Sequence, residues 1–386
     1  MLKKYFPKKI SKKKIVFSIL LVLSFLIISA ITIEAFSILI IKRTGYLWEP
    51  AYLRMIKGYK TSHMYGSRTE DHSWGQWSVP NFSGNVVNQC MDFKITFNQY
   101  GARDKNRSKS GKGRTLVFGD SFIEGWGVDQ DKTLPAYLEK ISGKEFLNFG
   151  NSGGFSILNE YLLYKDFASE FEHDAVIVGL TVGNDFDDNN AIVWGGNAYL
   201  YYRPFWKLSD DKKDVEAVYY APFVKGKYVP GNEPRKEEPA KLYENWKDFS
   251  ASLNLFRFIQ DHKVYFSRKG ALASKFTYNL DYSNDAITAV VLLYDKFAKL
   301  IGDKKKYVVI LPSATDVYHS LIKKQKTPKM EEFKKNLSNQ GWQVFDAIDA
   351  FVNLPENKLS SYYLCDGHPS AKAYELFAQY IYKFIR

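Results

Sequence analysis

The stretch TLVFGDSFIEGWGV, residues 115–128, decides how this chain is read. Leu116, Val117 and Phe118 form the short continuous apolar run of a strand buried on both faces, as in a parallel sheet, and ligand sites in such sheets lie where strands end. Gly119 permits a sharp turn and close backbone approach there, which would leave Ser121 exposed at the sheet edge instead of buried in the following helix. Asp120 is expected to organise that turn by accepting hydrogen bonds from backbone amides. Gly125 and Gly127 read as loop punctuation.

Outward from this stretch the chain alternates. A helix over LPAYLEKIS, a strand EFLNFG, a helix from ILNEYLLYKDF and the apolar strand AVIVGLT follow in turn. Later come a long helix in AITAVVLLYDKFAKLIG, the strand KYVVILP, the helix KMEEFKKNLSN, a short strand WQVFDA and a final helix SAKAYELFAQYIYKFI. Strands alternating with helices predict a three-layer α/β/α domain on a five-stranded parallel sheet, spanning residues 113–386. The interval 190–285 breaks the rhythm and reads as an insertion. In the last helix Ser370 is a good N-cap, and Tyr374, Phe377, Ile381 and Phe384 recur at helical spacing, so that face should pack on the sheet. Residues 42–112 read as a membrane-proximal segment, with a strand pair around NVVNQC and DFKITFNQYG, and the charged loop DKNRSKSGKG marks its end.

Three further segments follow strands as Gly-Asp-Ser does. NFGNSGGFS carries Gly150, Gly153 and Gly154, TVGNDFDDN carries Asn184 and Asp185, and CDGHPSAK carries Asp366 and His368. Parallel strands end at one sheet edge, so Ser121, Gly153, Asn184 and His368 should converge. A serine hydroxyl needs a base within hydrogen-bond reach, and His368, beside a carboxylate in a turn, is the candidate. Asp366 could fix the imidazole tautomer. The backbone N–H groups of Ser121 and Gly153, with the Asn184 amide, could supply an oxyanion hole.

This ordered set resembles the SGNH (GDSL) hydrolase family of serine esterases, over roughly residues 113–386, and FNQYGARD resembles the lead-in of bacterial exported members. The resemblance implies a flavodoxin-like sandwich, Ser121 as nucleophile, Gly153 and Asn184 as oxyanion donors and His368 as base. Two departures stand out. Val182 occupies the first position of the usual Gly-x-Asn-Asp block, and one residue instead of two separates Asp366 from His368. The shorter spacing leaves both a triad and a Ser–His dyad open. No cofactor or metal is called for; Asp185, Asp187 and Asp188 read as a solvated rim before a cation site. The insertion's VWGGNAYLYYRPFW, with Trp194, Tyr199, Tyr201, Tyr202, Phe205 and Trp206, is placed to cover the site, or to pack the insertion's own core.

The chain's 386 residues are 45% hydrophobic, enough for a sizeable core. Its formal charge is +12, but seven lysines in the acid-free first 14 residues leave only +5 for the rest. That remainder is spread through mixed-charge segments without zinc-finger or RNA-binding motifs, which excludes nucleic acid as the partner class. The lysines flank an apolar run at 15–41, ~40 Å long as a helix against a ~30 Å hydrocarbon core. It predicts an uncleaved transmembrane anchor with residues 1–14 cytoplasmic and the catalytic domain outside. Glu34 is expected near the far interface. Export would permit one disulfide between Cys90 and Cys365, with two unpaired cysteines the alternative. The expected activity is removal or transfer of a short acyl group, acetyl first, on a cell-envelope glycan. A lysophospholipase or thioesterase acting on lipid esters, and a catalytically silent glycan-binding or assembly subunit, are the alternatives.

Overall fold

A computed structural model describes residues 11–43, 66–87, 91–231, 276–355, 359, 361–364 and 366–385. Cys90 and Cys365, and so the expected bridge, lie outside the described residues. The chain divides into two units, Met1–Tyr59 with Lys241–Gly270 and Lys60–Ala240 with Ala271–Arg386. The first contains helix α1 (Lys12–Arg43). Its span Lys12–Phe36, with a mean hydropathy of 2.8, is long and apolar enough to cross a membrane.

The second unit opens with two antiparallel hairpins, β1 (Arg68–His72) with β2 (Gly75–Ser78) and β3 (Ser83–Val87) with β4 (Asp92–Thr96). The segment set apart by the sequence as membrane-proximal therefore joins, from residue 66 onward, the unit that holds the sheet. There follow β5 (Thr115–Phe118), α2 (Leu134–Ser142), β6 (Phe146–Asn148), α3 (Ile157–Asp166) and β7 (Ala175–Leu180). The insertion forms a third hairpin, β8 (Phe205–Leu208) with β9 (Val215–Val218). The chain then completes α4 (Asn284–Ile301), β10 (Lys305–Ile310), α5 (Pro328–Asn339), β11 (Gln343–Asp346) and α6 (Ala371–Ile385).

Five of these strands form a parallel sheet in the order β11-β10-β7-β5-β6. Numbered by their succession in the chain this is 2-1-3-4-5, the doubly wound flavodoxin-like order, whose crevice opens where β5 and β7 send their connections to opposite faces. Helices α2 and α6 pair on one face, and α3, α4 and α5 pack together on the other. The central strands carry apolar residues at successive positions because both faces are covered. Leu116, Val117, Phe118, Val176, Ile177, Val178, Val308, Val309 and Ile310 are all fully buried. Trp74 and Trp77 of the first hairpin belong to this same core.

Ser370 precedes α6 as foreseen, and its backbone carbonyl takes the Tyr374 N–H, the first bond of the helix, while its hydroxyl donates to the Ser361 carbonyl (3.1 Å). One local expectation is corrected. Tyr374, Phe377 and Ile381 are buried, whereas Phe384, in the last turn of α6, stays half exposed and stacks on Phe345 at 4.8 Å.

Candidate active site

Ser121 begins a one-turn helix, Ser121–Glu124, directly beyond β5. A Cβ on Gly119 would strike the Ile123 side chain, so the strand turns this tightly only with glycine there. Asp120 caps the turn. Its Oδ1 accepts from the Phe122 N–H (2.8 Å) and the Thr181 hydroxyl (3.0 Å), and its Oδ2 accepts from the Asn184 amide (3.2 Å). Burial raises the Asp120 carboxyl's pKa, and these three donors pull it back.

The loop before α6 faces this turn across the sheet edge. His368 Nε2 lies 3.0 Å from Ser121 Oγ, and its Nδ1 lies 2.9 Å from Asp366 Oδ2. The one-residue spacing is accommodated because Gly367 adopts φ +97°, a left-handed conformation that folds the aspartate back on its neighbour. The His368 N–H then donates to Asp366 Oδ1 (3.2 Å), so both carboxylate oxygens face the histidine. Burial works to raise the Asp366 pKa, but the hydrogen bonds and charge of His368 outweigh it and hold the carboxyl below its ordinary value. An ionised carboxylate on Nδ1 favours the tautomer that leaves Nε2 free to accept a proton from Ser121.

The N–H groups of Ser121 and Gly153 have no acceptor among the described residues. Asn184 donates its amide to Asp188 Oδ2 (2.6 Å) and, by a longer bond, to Asp120 Oδ2 (3.2 Å). Burial pushes the Asp188 carboxyl up to about 6. The reading of Asp185, Asp187 and Asp188 as a solvated rim is corrected for Asp185, which is 3% exposed and turns inward to take the Thr181 N–H (2.7 Å). Burial raises it, like nearby Glu160, well above the ordinary carboxyl range. Among the described residues no cluster of three or more His, Cys, Asp or Glu could hold a metal ion.

Three buried arginines, none singled out by the sequence, grip the loops of the site. Arg103 donates to the carbonyls of Glu124 (3.0 Å), Gly125 and Val128, just beyond Ser121. Arg68 pairs with the fully buried Glu124 (2.6 Å) and donates to the Ser152 carbonyl (2.5 Å), while Glu124 takes the Ser152 N–H (3.1 Å). Arg203, from the insertion, donates to Gly153 O (3.3 Å), Gly154 O and Asp188 O (2.9 Å), and so ties the Gly153 loop to the Asn184 loop. Its guanidinium lies over Trp194 at 3.9 Å. The signal available in sequence was slight: an arginine two residues from an acid in RTEDH, and another inside the aromatic run YYRPFW.

No protein-family model matches the chain, and no curated protein does. Solved structures similar to it include a member of the lipolytic G-D-S-L family from Veillonella parvula, at 12% identity and a TM-score of 0.35, covering 70% of this chain and 97% of that one. Another is LAE5, an alpha/beta hydrolase enzyme from the metagenome of Lake Arreo, at 10% identity and 0.36, covering 70% and 94%. A third, described as a lipolytic protein of the G-D-S-L family from Desulfitobacterium hafniense, has 12% identity and 0.31, covering 70% and 98%. The geometry of the site, and not these likenesses, carries the reading that follows.

Proposed function

We propose that the chain is a serine esterase of SGNH type, held in a membrane by α1, that removes or transfers a short acyl group on a cell-envelope glycan. The observation that carries the reading is the continuous relay Asp366–His368–Ser121, with bonds of 2.9 and 3.0 Å at the sheet's switch point.

In this reading Ser121 Oγ attacks the ester carbonyl while its proton passes to His368 Nε2. Asp366 balances the charge of the imidazolium. The carbonyl oxygen, now an oxyanion, accepts from the N–H groups of Ser121 and Gly153. Asn184 joins them by giving up its longer bond to Asp120, while Asp188 keeps the amide oriented. Each such donor contributes ~2.7–4 kcal/mol to the transition state. Collapse breaks the C–O bond to the alcohol, which leaves with the proton from His368, and a water or a second hydroxyl then repeats the sequence on the acyl-enzyme. Hydrolysis and transfer differ only in that acceptor.

Exposed Ile192, Val193, Leu200 and Phe223 on the insertion favour the second reading, a lipid ester. Rates on aryl esters from acetyl to palmitoyl separate the two, since preference for acetyl supports the glycan reading and preference for long chains the lipid one. Ser121→Ala should abolish turnover of an aryl acetate by the full-length chain; undiminished activity would remove Ser121 from the mechanism. The lysine-rich start sets residues 1–14 in the cytoplasm and the second unit outside. Labelling of single introduced cysteines at each end in intact cells tests that orientation.

A further inference from the structure

Ser121 and His368 stand 247 residues apart in the chain, and a single hydrogen bond of 3.0 Å joins their side chains. One bond between two loops leaves them free to pivot about it, and a misplacement of ~1 Å at a reacting centre costs about 10²-fold in rate. The same two loops meet at a second, apolar point. Leu364 lies four residues before His368, and a Cβ on Gly127 would collide with its Cδ1, so the leucine side chain rests directly on the Gly127 main chain. Gly127, read from the sequence as loop punctuation, is therefore a point of close approach.

Each end of this contact is tied to a reacting residue. The Leu364 N–H donates to the His368 carbonyl (2.7 Å) and the Gly367 N–H to the Leu364 carbonyl (3.0 Å), which holds Leu364 and His368 in register. Opposite them, the Ser121 carbonyl accepts from the N–H groups of Gly125 (3.0 Å) and Trp126 (2.9 Å), and Arg103 holds the carbonyls of Gly125 and Val128 on either side of Gly127. The hydroxyl–imidazole bond and the Leu364–Gly127 contact thus close a ring through both loops.

The hairpin β3–β4 backs that ring. Val86, Met91, Phe93, Ile95 and Phe97 form an apolar cluster apart from the main core, and Trp126 and Leu364 both pack against it. Trp126, the neighbour of Gly127, meets Phe93 edge-on at 5.6 Å. Strand β4 also reaches the nucleophile loop by polar bonds, the Lys94 N–H donating to Asp129 Oδ1 (3.2 Å) and the Thr96 hydroxyl to Gln130 Oε1.

We infer that Leu364 is a positioning residue that sets the separation of Ser121 and His368 by seating the histidine loop on Gly127, with the hairpin β3–β4 as the clamp on both loops. Its effect on rate rests on the esterase reading; the geometry it controls does not.

Both are measured on the full-length chain. Leu364→Ala should lower kcat on an aryl acetate about 10- to 100-fold with KM within about twofold, because the reacting groups part while the substrate still binds. Leu364→Met, of similar volume, should restore most of that rate. Leu337→Ala, fully buried in α5 within the main core, should lower the melting temperature at least as far as Leu364→Ala and leave kcat unchanged. Geometry is read by nuclear magnetic resonance on chain carrying isotope-labelled histidine, with His368→Gln identifying the signal. Ser121→Ala should shift the His368 Nε2 resonance in the parent and scarcely shift it in Leu364→Ala. A Leu364→Ala chain that keeps its rate, or loses no more of it than Leu337→Ala does, overturns the inference. So does a His368 signal that answers Ser121→Ala equally with and without Leu364, or ignores it in both. A parent that turns over no ester loses the esterase reading, and the resonance alone then decides the role of Leu364.

Discussion

Ser121 follows β5 and Gly153 follows β6, and the two loops are held in different ways. Ser121 has a local frame, since β5 ends beneath it and Asp120 caps the one-turn helix it begins, and Arg103 and Arg68 reinforce that helix at its far end. Gly153 is placed from a distance. Arg68 and Gln76 reach its loop from the first hairpin, and Arg203 reaches it from the insertion. His368 resembles Ser121, since its partner Asp366 is two residues away; Asn184 resembles Gly153, since Arg203 anchors its loop at Asp188. The Gly-Asp-Ser turn is thus shaped first by local chain geometry, while the Gly153 and Asn184 loops depend on contacts far apart in sequence.

Substitutions can break or sharpen this contrast. The largest effect is expected at Asp366→Asn, which should lower kcat on an aryl acetate by about 10⁴ if the carboxylate fixes the histidine tautomer; a loss below about tenfold would reduce the centre to a dyad. Arg68→Ala should cost about 3–5 kcal/mol in a denaturant melt, because it strands the Glu124 carboxylate fully buried without its cation. Replacing both members with apolar residues of similar volume should recover most of that loss, and a melt unchanged in the single variant would contradict the buried-pair account. Asn184→Ala should lower kcat by roughly 10² to 10³ with KM little changed.

The smallest expected effect concerns pH. Burial raises the Asp188 pKa from 3.8 to about 6 in the folded chain. A carboxyl that binds its proton more tightly when folded contributes most below the unfolded value and loses that contribution as pH rises through the folded one. Asp188→Asn should therefore gain stability relative to the parent between pH 4 and 6, on the order of 2 kcal/mol, and hold a constant difference above. Melting temperatures across that range give the sign directly. A difference that shrinks with rising pH would show Asp188 to be stabilised as the anion.

The same contrast explains what could be read from the residues. The sheet strands are short apolar runs, the helices have clear periodicity and caps, and Gly-Asp-Ser sits where a strand must turn, so the fold and that turn were legible. The Asp-Gly-His spacing left open whether Asp366 could reach the imidazole, because that depended on one dihedral angle, that of Gly367. The hairpin Arg68–Ser78 was not recognised as a strand pair: RTEDH and GQWS lack apolar alternation, since Arg68 and Glu70 are buried through ion pairs and carbonyl bonds. An arginine that will be buried is written with the same letter as one on the surface. Asp185 was misread for the converse reason, because three acids within four residues look solvated until one of them turns inward.

Many of the arginine contacts end on main-chain oxygens, and every residue type carries one. At Val128 and Asp188 the grip of Arg103 and Arg203 is therefore indifferent to which side chain is present. Side chains can change at such positions while the main chain keeps its path, so long as the guanidinium groups are spared; at Asp188 the price is the carboxylate that holds the Asn184 amide.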